Sequence, residues 1–181
     1  NLKTLKNSPK KVGGCFDCSE NKLENLKYVP ESIYGYLDFS MNKIKTLKYF
    51  PKMIVGSIFG TNNEIESLEG ISESLGKYVD LSYNNIESFK YGPKYIGGSF
   101  FITNNKIKSL DEVNIMFSVM GNHIVIDSHE FDKLKKSDLV LTFIYAKKNV
   151  VHSEKIDVCD REKSLKSFIY NLNIAGIENI S

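Results

Sequence analysis

The sequence predicts an α/β solenoid of about six short parallel strands with an irregular convex side, closed by a small C-terminal α/β cap. Three observations carry that expectation. Asparagine recurs at a 21-residue interval, at Asn21, Asn42, Asn63, Asn84 and Asn105. Apolar residues keep the same interval at Leu5, Leu26, Leu47, Leu68, Phe89 and Leu110, and again at Leu2, Leu23, Ile44, Ile65, Ile86 and Ile107. Proline marks it at Pro9, Pro30, Pro51 and Pro93. Several residue types sharing one period indicate a repeat whose units bury their apolar faces only by stacking.

One unit runs from Pro30 to Lys48. In it Leu37 and Phe39 alternate with polar neighbours, the period of a short strand buried on one face. The chain then turns inward at Asn42, and Ile44 and Leu47 fill the interior. Such a bend leaves backbone N–H and C=O groups off the ladder and out of water. The asparagine amide carries both donors and acceptors, so a stacked row of Asn21, Asn42, Asn63, Asn84 and Asn105 is expected to satisfy them.

The pattern resembles the leucine-rich repeat family, whose core reads L-x-x-L-x-L-x-x-N-x-L, and looks most like its short bacterial and phage-encoded type. The resemblance covers residues 1–126 and implies a protein-binding surface on a concave sheet. Departures are local. The step from Ile33 to Leu37 is one residue longer than the family spacing, and Gly35, with Gly14, Gly56 and Gly98, is expected to absorb it in a tight turn. The fourth unit has Ser72 for the proline and Lys77 for the glycine. The sixth reads as shortened, because Asn122 follows Asn105 sooner than the period requires.

The domain division expected is 1–126 for the solenoid and 127–181 for the cap. In the cap, Asp127 and Glu130 form a capping box ahead of a short helix carrying Phe131 and Leu134. Leu139 to Tyr145 reads as a strand, with a second weak strand near Val150. Asp160 caps a helix with Leu165, Phe168, Ile169 and Leu172 on one face and Gly176 as its stop. At the other end no capping helix precedes Leu2 and Leu5, so either residues lie upstream or a partner or second copy covers this end.

Composition narrows the function. A net charge of +2 gives no general affinity for polyanions, and 41% hydrophobic residues suffice for a core. No secretory signal leads the chain and no apolar run approaches the roughly 20 residues needed to cross a bilayer, so no membrane role and a cytoplasmic location are expected. Cys15 and Cys18 resemble a C-x-x-C pair, but residues three apart on a strand face opposite sides. No metal and no cofactor are therefore expected. Cys159-Asp160-Arg161 lacks the Cys-x-Asp spacing of ligase effectors, and His123, His129 and His152 have no partners at catalytic spacing. The expectation is a non-enzyme.

The candidate site is the outward face of the strands. Alternation places Cys15, Tyr36, Ser57, Tyr78, Ser99 and Met116 in one outward row and Asp17, Asp38, Phe59, Asp80, Phe101 and Ser118 in the next. Met41 and Tyr83 flank a third. Outward positions have no packing reason to be aromatic, so Tyr36, Met41, Phe59, Tyr78, Tyr83 and Phe101 read as interface anchors. Asp17, Asp38 and Asp80 suit a protein partner with a basic surface. The alternative is that the rings only pack on one another across turns. Lys6, Lys27, Lys48 and Lys90 share one register, but aromatics do not interleave with them, so no nucleic-acid partner is expected. The function expected is a protein-binding module, and the resemblance implies a phage or bacterial protein that modulates a host protein; the alternative is a structural component of a virion or other assembly. Oligomeric state is left open.

Overall fold

The computed structural model describes residues 1–108, 115–117, 124–126 and 150–152. Residues 1–105 fall into 21-residue units, 1–21, 22–42, 43–63, 64–84 and 85–105, each ending on its asparagine. Every unit contributes two strands. These are β1 (Lys11–Val12) and β2 (Phe16–Asp17), β3 (Ser32–Ile33) and β4 (Leu37–Asp38), β5 (Met53–Ile54) and β6 (Ile58–Phe59), β7 (Ser74–Leu75) and β8 (Val79–Asp80), and β9 (Tyr95–Ile96) and β10 (Phe100–Phe101). Three more follow, β11 (Met116–Phe117), β12 (Ile124–Ile126) and β13 (Val150–His152). All pair in parallel, and no helix occurs among the described residues. The described residues form a parallel β-solenoid.

The long sheet runs β2-β4-β6-β8-β10-β12-β13. Its inward side chains, Leu37, Ile58, Val79 and Phe100, stack on one another and are fully buried. Leu23, Ile44, Ile65 and Ile86 do the same after the asparagine corner, as do Leu26, Leu47 and Leu68. Each fully buried aliphatic side chain contributes about 1.5–3 kcal/mol relative to exposure. The periodic apolar rows are therefore the core.

The structure differs from the sequence expectation in three places. First, a second ladder, β1-β3-β5 and β7-β9-β11, occupies the side expected to be irregular. Its strands are too short to show alternation between Pro30 and Gly35. Second, Met116 belongs to that ladder, paired with Tyr95 at the same 21-residue step, and not to the outward row of Tyr36. The long sheet instead continues through Ile124, paired with Phe100. That step exceeds the repeat interval, so the unit here is lengthened rather than shortened. Third, the turn glycines have no left-handed backbone; among the described glycines only Gly70 has positive φ. Gly35, Gly56 and Gly98 are sites of coil-to-coil contact: a Cβ on Gly56 would overlap the backbone of Gly35. The expected strand near Val150 is present as β13, paired with β12. The expected helices at Asp127 and Asp160 and the strand Leu139–Tyr145 lie outside the described residues.

The second ladder has a seam between the third and fourth units. Lys52, Val55 and Gly56 donate their N–H groups to Glu31, Ile33 and Gly35, and Lys94, Gly97 and Gly98 do so to Glu73, Leu75 and Lys77. Among the described residues β7 has no pairing to β5. Ser72, standing where other units have proline, closes the gap with Oγ donating to Pro51 O at 2.6 Å. The flanking ion pairs keep the same grouping, Lys52 with Glu31 and Lys94 with Glu73, both at 2.9 Å. All four side chains are exposed, so these pairs contribute little.

Candidate functional site

The asparagine corner positions the site. Asn42 Oδ1 accepts the Leu23 N–H at 2.9 Å, and its Nδ2 donates to Cys18 O and Phe39 O at 3.0 Å and Ser40 O at 3.2 Å. Asn63, Asn84 and Asn105 repeat this network: each accepts one N–H, and the two Nδ2 hydrogens are shared among three carbonyls, two in its own unit and one in the unit before. Asn21 accepts the Leu2 N–H at 2.7 Å. These asparagines are structural: they close each unit and fix the residue before them, which turns outward. That preceding residue has positive φ in every unit, at Glu20, Met41, Asn62, Tyr83 and Asn104. Asparagine tolerates such a backbone; methionine and tyrosine do so at a steric cost.

On the outward face of the long sheet the structure brings together Asp17, Asp38, Phe59, Asp80 and Phe101 in one register row and Tyr36 and Tyr78 in the neighbouring one. Met41, Tyr78 and Tyr83 are 55%, 52% and 55% exposed. Phe59 and Phe101 are half-buried. Tyr36 meets Phe59 edge-on with ring centroids 6.0 Å apart, so cross-turn packing accounts for that pair. It does not account for Met41, Tyr78 or Tyr83.

The aspartates have a local task that the sequence does not announce. Asp17 Oδ1 accepts the Ser19 N–H at 2.9 Å, Asp38 the Ser40 N–H at 2.9 Å, and Asp80 the Ser82 N–H at 3.0 Å. Each thus forms an Asx turn that leads the strand into the asparagine corner. One carboxylate oxygen is committed to the fold, which lessens the acidic character offered to a partner.

Sequence reasoning also misses the outward side of the second ladder. Tyr34 and Val55 are 53% and 46% exposed, and Met53 and Tyr95 are 38% exposed. Tyr34 and Tyr36 bracket Gly35, so the apolar surface continues around the turn from one sheet to the other. A signal for it exists: Ser32-Ile33-Tyr34 and Met53-Ile54-Val55 hold the same 21-residue register with only the central residue buried.

At the opposite corner each unit makes a tight turn, with Val29 N–H donating to Leu26 O at 3.0 Å and Phe50 N–H to Leu47 O at 2.8 Å. Tyr28 (φ 73) and Tyr91 (φ 62) hold the third turn position, where the fourth unit has Gly70. A positive φ there with an ordinary residue before it is the type II requirement. Lys27, Lys48 and Lys90 place Nζ 5.2, 5.9 and 5.1 Å from the ring centroids of Tyr28, Tyr49 and Tyr91. The expectation that no aromatics interleave with these lysines is therefore corrected.

Cys15 is exposed and Cys18 buried, so the two thiols diverge. Burial, then the Asp17 and Asp38 carboxylates, push the Cys18 thiol up to about 12. Its Sγ donates to Asp38 O at 3.4 Å. Iodoacetamide is expected to label Cys15 in the folded protein and Cys18 only in denaturant, read by peptide mass mapping; equal labelling rates would refute the assignment. The neutral Cys18 thiol supports the fold fully below its ordinary value of 9.0, and this support is lost as pH rises from there towards 12. No cluster able to hold a metal ion and no helix long and apolar enough to cross a membrane occur among the described residues. His123, His129 and Cys159 lie outside them. Compared with known proteins, the chain matches no family model, no curated protein and no solved structure.

Proposed function

We propose that this chain is a non-enzymatic interaction module of leucine-rich-repeat type that binds a protein partner on the outward face of its long sheet, as a phage or bacterial protein modulating a host protein. One observation carries the reading: Met41 (φ 56) and Tyr83 (φ 58) stand exposed on left-handed backbone where the equivalent units use Asn62 and Asn104. A large apolar side chain at such a position adds strain and gains no core contact. Retained strain of this kind is typical of functional surfaces. Tyr78 and Tyr36 lie in the same outward row two units apart, and Tyr34 and Val55 extend the surface around the turn. Tyrosine anchors of this kind carry most of the energy in protein interfaces.

The reading makes opposed demands on binding and stability. Met41→Asn with Tyr83→Asn is expected to raise stability by about 0.5–1 kcal/mol per site, because asparagine accepts the left-handed backbone. Capture of the partner is expected to fall at least about tenfold. Pull-down from host lysate with wild type, this variant and Tyr78→Ala, read by mass spectrometry beside thermal melts, measures both. Equal capture by stable variants would remove the site from this face. Capture only of the chain itself would favour a component of a larger assembly.

A further inference from the structure

The side of the solenoid between the asparagine corner and the tight turn plays no part in the protein-binding reading, and its charge is uneven. In the third unit it presents Lys43, Lys45 and Lys48, all exposed. The second unit presents Lys22 and Lys27 beside Glu24, and the first Lys3 and Lys6. In the fourth unit the same three positions become acidic, Glu64, Glu66 and Glu69. Lys22 N–H donates to Leu2 O and Lys43 N–H to Leu23 O, both at 2.9 Å, so these segments stack like the strands. Lys22 and Lys43, and Lys6, Lys27 and Lys48, therefore recur about every 4.8 Å along the backbone stack, while Glu24 separates Lys3 from Lys45. Among the described residues only Lys45 of this group has a carboxylate partner, Glu64 at 3.6 Å. Like charges at this spacing repel mildly where water and salt screen them, and they leave a cationic surface suited to an anionic ligand.

The patch also has shape and aromatic surface. A depression of about 590 Å³ opens in it, lined by Lys43, Lys45, Lys48 and Tyr49 of one unit and by Glu24 and Asn25 of the unit before, with Glu64 also contributing. Tyr28 and Tyr49 stand at the turn tips, 48% and 41% exposed, each beside its own lysine. Tyr28 keeps positive φ where Gly70 fits without strain. Lysines alone would serve a bare phosphate. Rings at exposed turns add the flat apolar surface that a base face needs. A duplex hides its base faces; a single strand offers them.

We propose that this face, over the first three units, binds single-stranded nucleic acid, the lysines taking phosphates and Tyr28 and Tyr49 stacking bases. Interleaved lysines and aromatics are how sequence-tolerant single-strand sites work. The acidic fourth unit ends the footprint after about 10 Å along the stack. So short a contact gives weak, salt-sensitive binding, with Kd of about 10⁻⁴–10⁻⁶ M at physiological salt. The proposal concerns a different face from the protein-binding surface, and either stands if the other fails.

The test is fluorescence anisotropy of the full chain with labelled oligo-dT and oligo-U at low salt, the two arms separating DNA from RNA. Binding is expected to weaken with salt at a log–log slope of about −0.7 per phosphate contacted. Lys43→Glu with Lys45→Glu and Lys48→Glu should lose at least about tenfold. Tyr28→Ala with Tyr49→Ala should weaken binding about fivefold or more at an unchanged salt slope. Glu66→Lys with Glu69→Lys should tighten it several-fold by extending the patch, a gain that unfolding cannot mimic. No binding to either oligonucleotide overturns the proposal. So does binding that ignores the tyrosines and is matched by polyphosphate, or binding to phosphatidylserine vesicles without binding to oligonucleotides.

Discussion

Asn84→Asp is expected to destabilise the solenoid at neutral pH while sparing it in mild acid. Asn84 Nδ2 donates to Gly60 O and Leu81 O at 3.0 Å and to Ser82 O at 3.2 Å, while Oδ1 accepts the Ile65 N–H at 3.0 Å. A carboxylate keeps the acceptor and sets a negative oxygen against three carbonyl oxygens in a buried site. Asn84→Ala removes both functions and strands buried groups at about 1–3 kcal/mol each. The charge adds repulsion and desolvation, so the aspartate variant should be the worse of the two at pH 7. Burial and the carbonyls raise the introduced carboxyl above its unfolded value of about 3.9. The stability that depends on its protonation is present below that value and is lost as pH rises through the folded one. Thermal melts from pH 4 to 8 should show the variant converging on wild type only at the acid end. A total loss of about 3 kcal/mol corresponds to a melting shift of roughly 6–12 °C. A pH-independent deficit equal to that of Asn84→Ala would show that the amide donors are not needed.

Gly60→Ala should destabilise the fold, and Phe39→Leu should restore much of what it loses. Gly60 occupies the inward row that holds Cys18, Phe39, Leu81 and Ile102. A Cβ there would overlap the Phe39 ring and press on Leu81 Cδ2. Phe39 is fully buried, with its ring edge-on to Phe50 at 6.4 Å, so it has little freedom to withdraw. Phe39 fills the space that Gly60 leaves empty one unit further on. Overpacking of this kind costs about 1–3 kcal/mol. Phe39→Leu alone leaves a cavity and is also destabilising. The double variant should therefore be more stable than the sum of the single changes predicts, by about 1 kcal/mol or more. Urea unfolding of the four proteins measures the coupling; strict additivity would show that the two residues do not share that space.

Much of the solenoid is legible in the sequence because its causes are periodic. The asparagine row, the inward leucines and isoleucines and the outward positions of Tyr36, Phe59, Tyr78 and Phe101 all follow from one 21-residue interval and strand alternation. What escapes has local causes. β3 and its equivalents are so short that alternation has nothing to repeat over. Asp17, Asp38 and Asp80 read as surface charge because their bond to a backbone N–H two residues on depends on the turn, not on composition. Strand logic sets Lys27 and Tyr28 apart, since sequence neighbours on a strand diverge. At the tight turn the same neighbours come together, and the Lys27 Nζ lies 5.2 Å from the Tyr28 ring centroid. Met116 is misplaced because Asn122 makes the sixth unit read as shortened; at the plain 21-residue step it falls with Tyr95, where it pairs, and only the long sheet takes a longer step, from Phe100 to Ile124.

The asparagine network has a direction in time. Each unit begins with an N–H, at Leu23, Ile44, Ile65 or Ile86, that is accepted by the asparagine 19 residues later. That asparagine also reaches back to a carbonyl 24 residues earlier, in the preceding unit. A nascent chain lacks the closing bonds of a unit until its asparagine arrives, and that one side chain then ties the unit both to itself and to the one before. At about 5–20 residues per second of synthesis, one such asparagine arrives roughly every one to four seconds. During synthesis each such bond can reach back only to a unit that has already left the ribosome.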